Sequence, residues 1–94
     1  MHADVTEEYY FLTFKSTHDV LKFDKNTAKK SYKTTIMPVP REVSHSCGLA
    51  LRFDIGDLEK IKELSKKRNL QTEGLYKVTV SNKNRIIKEL EGFH

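Results

Sequence analysis

The stretch YYFLTFKSTHDVLK, residues 9–22, decides the fold. Tyr9–Phe14 is a short run of aromatic and apolar residues, which predicts a buried strand. Ser16 and Asp19 then stand three apart, the spacing of a capping box, in which the hydroxyl meets an orphan N–H and the carboxylate reaches back. A helix is expected from there to about Lys30. Its apolar residues, Val20, Leu21, Phe23 and Ala28, make an imperfect stripe, weakened by Asn26 and Thr27.

The same grammar repeats further along. Lys33–Val39 (KTTIMPV) predicts a second strand. Pro38 and Pro40 fix φ and remove two backbone donors, so regular pairing should stop there. Arg41–Cys47 reads as a polar loop. Gly48–Phe53 (GLALRF) alternates Leu49, Leu51 and Phe53 with Ala50 and Arg52, the mark of a strand with one apolar face. Asp54 is placed to cap a second helix, with Ile55, Leu58, Ile61 and Leu64 in one broad stripe and Asn69 as its stop. Glu73–Val80 (EGLYKVTV) predicts a fourth strand.

The order βαββαβ predicts an α+β, ferredoxin-like sandwich: a four-stranded antiparallel sheet with two helices on one face. Residues 1–8 read as a flexible leader, 9–80 as the domain and 81–94 as an appendage. In the appendage Asn84 is expected to cap a short C-terminal helix carrying Ile86, Ile87 and Leu90 and ending at Gly92. That apolar patch should pack on the domain or on a second copy of the chain, which would make a homodimer.

Charge narrows the function classes. The formal balance is +4 over 94 residues. Its densest clusters, Lys29, Lys30 and Lys33, then Lys60, Lys62, Lys66 and Lys67, fall in expected helices or at their ends. They read as solvated helix faces, and nucleic acid is not expected as a partner. No apolar run is long enough to span a membrane, and the acidic N-terminus lacks the pattern of a signal peptide, so no membrane association is expected. One cysteine cannot form an internal disulfide. A reducing, cytoplasmic setting follows as the expectation.

That cysteine, Cys47, lies in the segment where chemistry is expected. A thiol reacts as its thiolate, and an ordinary cysteine is about 3% ionised at neutral pH. Lowering its pKa by two units takes about 2.7 kcal/mol of preferential stabilisation of the anion. Ser44 and Ser46 can donate hydroxyl bonds, and Arg41, His45 and Arg52 can supply positive charge if the loop turns them inward. Gly48 has no Cβ, so backbone amides and a ligand can come close to the sulfur. Each has a plainer reading: a small buried hydrophobe for Cys47, turn bonds for the serines, surface charge for Arg41. Arg52 alternates with core residues and points away from Leu51 and Phe53. His18 reads as a capping or exposed residue in the first turn of the first helix; His2, His45 and His94 have no metal-ligand spacing with Cys47, and neither metal nor cofactor is expected.

Tyr10–Lys22 (YFLTFKSTHDVLK), Met37–Phe53 (MPVPREVSHSCGLALRF) and Asp57–Leu64 (DLEKIKEL) resemble the selenium/sulfur carrier-like domain family, found in anaerobic and selenium-metabolising bacteria. The segment Pro38-x-Pro40-Arg41-Glu42 to Ser44-x-Ser46-Cys47-Gly48 carries most of the likeness. Asn26–Tyr32 departs from the family pattern, which has a leucine pair and a glycine turn where this chain has Asn26-Thr27 and Ser31. The resemblance implies a carrier or accessory protein rather than a turnover enzyme. Cys47 would hold sulfur or selenium as a persulfide or selenopersulfide, received from a donor such as a cysteine desulfurase and passed to an acceptor protein. Fold analogy alone offers an alternative, a ligand-sensing or protein-interaction module in which Cys47 is structural.

Overall fold

The computed structural model describes residues 5–43, 47–82 and 84–91. The elements are β1 (Val5–Thr13), α1 (Thr17–Lys29), β2 (Thr34–Pro38), β3 (Leu49–Asp54), a 3-10 turn (Ile55–Asp57), α2 (Leu58–Lys67), β4 (Gly74–Ser81) and β5 (Asn84–Leu90). They form an α+β domain with one antiparallel sheet in the order β2-β3-β1-β4-β5. The expected βαββαβ order holds through β4.

β1 is the middle strand, and residues on both of its faces are buried. Leu12 faces Leu51 and Leu75, and its neighbour Phe11 faces Arg52 and Tyr76. The even-numbered side of β1 turns toward the helices. There Leu12, Phe14, Leu51, Phe53 and Leu75 pack with Val20 and Phe23 of α1 and Ile61 and Leu64 of α2. The other side carries a smaller cluster of Tyr9, Phe11, Ala50 and Val78, with Val43 over it.

β1 starts earlier than expected. Val5–Glu8 belong to the strand rather than to a leader, because their acidic side chains find partners on the neighbouring strands. Glu7 pairs with Arg52 and Glu8 with Lys77.

α1 and α2 form where the sequence places them, but their details differ. Ser16 Oγ accepts from the Asp19 N–H at 3.2 Å, the expected cap. On α1, however, Leu21 is 52% exposed whereas Thr27 is fully buried. Positions 20, 23 and 27 share one helical face, and Leu21 lies off it. Thr27 is tolerated there because its hydroxyl donates to the Asp24 carbonyl at 2.8 Å and lies 2.9 Å from Thr34 Oγ1. At the second helix Asp54 makes no side-chain cap, and a 3-10 turn intervenes before α2.

Both helices end in the same way. After α1 the N–H of Tyr32 reaches the Thr27 carbonyl and that of Ser31 reaches Ala28, each at 3.0 Å. After α2 Leu70 reaches Ser65 at 2.9 Å and Asn69 reaches Lys66 at 3.3 Å. This is the Schellman pattern, which needs a left-handed residue just past the helix. Ser31 (φ 58) and Asn69 (φ 51) occupy that position. Asn69 suits it; serine is less suited than glycine there.

The expected C-terminal helix is corrected to a fifth strand. Ser81 faces Asn84 across a two-residue connection whose first residue, Asn82, has φ 54. That is hairpin chemistry. The adjacent β-branched pair Ile86-Ile87 favours a strand. A helix of seven residues would be marginal on its own, whereas the edge of β4 supplies a partner for the whole stretch. The sheet therefore has five strands rather than four.

Replacing Ser31 with glycine should stabilise the protein by about 1 kcal/mol, since it removes the left-handed penalty at an exposed site. Thermal unfolding checks this, with an expected rise of about 4–8 °C.

Candidate functional site

The connection between β2 and β3, residues 39–48, is shaped by the two prolines at its start. Pro38 closes β2 opposite Leu49. The Val39 N–H then reaches the Gly48 carbonyl at 3.0 Å, so the two limbs stay paired for one further step. The Pro40 carbonyl accepts from the Val43 N–H at 3.1 Å, which folds the chain into a turn.

That turn drives Val43 inward. It is 7% exposed and packs on Tyr9, Phe11, Ala50 and Val78, on the side of the sheet without helices. Glu42 beside it meets Arg85 of β5 at 2.7 Å. The loop thus leaves one edge of the sheet and touches the strand at the opposite edge. Four inter-strand steps separate those edges, about 19 Å. The Arg85 hydrogen bond, followed by one from the backbone, holds the Glu42 carboxyl below its ordinary range. Between loop and sheet is a cleft of about 300 Å³, lined by Glu42, Val43, Tyr76, Ile87 and Glu89. Burial, then the charges of Glu89 and Glu73, raises the Tyr76 phenol above its usual value, so it stays a neutral donor at physiological pH.

Cys47 lies on the returning limb. Its side chain is half-buried and packs at the margin of the helix-side core, in phase with Leu49 and Leu51. The thiol donates to the Leu49 carbonyl at 3.4 Å. Gly48 next to it is exposed, and a Cβ built there would meet no atom within 4 Å. Its φ is not positive, so the backbone does not require glycine.

The other expected site residues are distributed differently. Arg41 is exposed on the loop. Ser44, His45 and Ser46 lie outside the described residues, as does Gly92. Arg52 is not brought to Cys47. It sits five positions along β3, about 17 Å away, on the opposite face. There Glu7 binds it at 2.5 Å and the Tyr9 ring stacks beneath it at 3.7 Å. Among the described residues no three His, Cys, Asp or Glu side chains come together as a metal site.

Sequence reasoning missed Val43, Glu42 and Arg85, which fasten the loop. One signal was present: Val43 is the single aliphatic residue between Arg41 and Cys47. The ion pair had none, because its two members are 43 residues apart.

Two substitutions separate these roles. Gly48→Ala should leave the melting temperature unchanged or slightly raised. Arg52→Ala should cost up to about 1 kcal/mol from its partly exposed ion pair and ring contact. It should leave the alkylation rate of Cys47 within roughly twofold of wild type, the fold held constant. Thermal melts and thiol alkylation read both.

Comparison with known families places this geometry. No curated protein and no solved structure matches the chain. A family model described as "Putative Se/S carrier protein-like" matches residues 9–77, from the middle of β1 to the middle of β4, and so includes the whole Cys47 loop while leaving β5 outside. With most of its length inside that match, the chain belongs to the Se/S carrier protein-like family.

Proposed function

We propose that this protein carries sulfur or selenium on Cys47 and hands it to a partner protein. One observation carries the reading. The only cysteine of the chain stands part-exposed inside the family-matched segment.

Loading would proceed by exchange. The Cys47 thiolate attacks the terminal sulfur of a persulfide on a donor such as a cysteine desulfurase. A new bond forms from Sγ to that sulfur, the donor's S–S bond breaks, and the donor cysteine leaves as a thiolate. Cys47 becomes a persulfide, with no net oxidation or reduction. Unloading is the same step in reverse: an acceptor thiolate takes the terminal sulfur and Cys47 leaves as thiolate. Selenium in place of the terminal sulfur gives a selenopersulfide by the same bookkeeping of bonds.

The loop suits both directions. The thiol now rests against the Leu49 carbonyl. A thiolate has no proton to give that acceptor, so ionisation turns the sulfur toward donors instead. The Gly48 amide, the exposed Arg41 guanidinium and the hydroxyls of Ser44 and Ser46 are the candidates in this chain. The attacking partner reaches the exposed part of the Cys47 side chain. A free thiol persists in a reducing compartment, which fits a cytoplasmic protein. The protein turns over no substrate by itself and acts as an accessory to the enzymes on either side.

Incubation with a cysteine desulfurase and labelled cysteine tests this by intact-mass spectrometry. The chain should gain one sulfur atom, on the Cys47 peptide, and Cys47→Ser should gain none. No mass gain on Cys47 would reject the proposal. A Cys47→Ser variant that still bound the same partners would then support an interaction module with a structural cysteine.

A further inference from the structure

Among the described residues the outer edge of β5 is unpaired, since β5 ends the strand order. The two edges of the sheet differ. β2 has five residues and carries Pro38, whose missing N–H blunts further pairing. β5 has seven residues, NRIIKEL, and no proline.

A two-residue hairpin loop closes on a hydrogen-bonded pair, here Ser81 and Asn84. From there hydrogen-bonded and open pairs alternate along the ladder. Arg85, Ile87 and Glu89, opposite Val80, Val78 and Tyr76, are the open positions. Their N–H and C=O groups face the free edge.

We propose that β5 pairs antiparallel with β5 of a second copy of this chain, with Ile87 on the two-fold axis, joining the two sheets into one. The charges select both the occupant and the register. With Ile87 central, Arg85 lies opposite Glu89 of the partner subunit, and symmetry repeats the pair. A slide that centres the axis on Arg85, Lys88 or Glu89 sets like charges against each other, which is destabilising, and one that centres it on Ile86 forgoes the Arg85–Glu89 pairs. Only with Ile87 central are both of those pairs made.

The opposite face of the strand supports the same alignment. Ile86 is 63% exposed, more than Val5 or Leu21, the other exposed large apolar side chains among the described residues. In the dimer it lies opposite Lys88 of the partner subunit, whose alkyl stem can cover it. It also lies diagonally across the axis from the partner's Ile86, within the reach of long side chains.

The pairing connects to the cysteine loop through Arg85. Its guanidinium already binds Glu42 at 2.7 Å and has five donors in all. A second carboxylate, Glu89 of the partner subunit, adds to that contact without displacing it. Because β5 lies outside the family-matched residues, this interface belongs to the part of the chain that the family model does not describe. It stands independently of the thiol chemistry proposed above.

Sedimentation velocity on the full chain, from micromolar to millimolar concentration, tests the proposal. Wild type should approach twice the chain mass as concentration rises. Glu89→Lys should weaken the dimer at least roughly tenfold by setting two cations opposite each other, as should Ile86→Lys, which adds repulsion to Lys88. Both sites are exposed, and circular dichroism should show an unchanged fold. The swap Arg85→Glu with Glu89→Lys should recover most of the lost affinity. A wild-type chain that stays at its own mass up to millimolar concentration would overturn the proposal. So would a Glu89→Lys variant as dimeric as wild type, or a swap no better than the single variant.

Discussion

Two helices can cover only one face of this sheet, yet its central strand is buried on both. Phe11, Leu12, Thr13 and Phe14 are consecutive and all at most 1% exposed. Successive strand residues point to opposite faces, so this run demands a cover on each side. α1 and α2 supply one. On the other side the loop between β2 and β3 lies over the sheet, with Val43 resting on Tyr9, Phe11, Ala50 and Val78. The loop that bears Cys47 is therefore part of the packing. Its described residues are fastened by burial at Val43, by the Val39–Gly48 hydrogen bond and by the two prolines, and less by the exposed Glu42–Arg85 pair, since such pairs contribute little.

This arrangement divides the loop into an anchored half and a presenting half. Val43 faces the sheet, while Cys47 returns half-buried at the margin of the other core. The proposed carrier role asks for a thiol held at a known place and reachable by two different partners. The proposed β5 pairing would extend the same sheet at the edge away from Cys47 and leave the thiol free.

Much of this was legible in the sequence. The YYFLTF run, the Ser16 cap, the LALRF alternation and the Asn69 stop all rest on local rules, and each appears where those rules put it. The failures are of one kind. Asn84–Leu90 was taken for a helix because its partner, β4, is invisible to a local pattern; once Asn82 turns the chain, the edge of β4 decides. Glu7 and Glu8 looked like leader because the cations that neutralise them, Arg52 and Lys77, lie far away in sequence. Thr27 was discounted as polar, although a hydroxyl bonded to Asp24 and Thr34 is compatible with burial. Arg52 was assigned to the correct face, but alternation does not say how far along the strand a residue must reach. Around the loop the same division holds: Cys47 and Gly48 stand out by composition, whereas the anchor at Val43 emerges only with the sheet beneath it.

A carrier differs from a merely reactive cysteine in what happens after loading. Adding an excess of an acceptor thiol to the chain already loaded at Cys47, and counting both the sulfur transferred and the free thiol regained, measures that difference. Reversible transfer predicts that one sulfur leaves per chain and that the single Cys47 thiol returns in equal amount. Sulfur that stays on the chain, or departs while Cys47 ends in a disulfide between two chains, would contradict it.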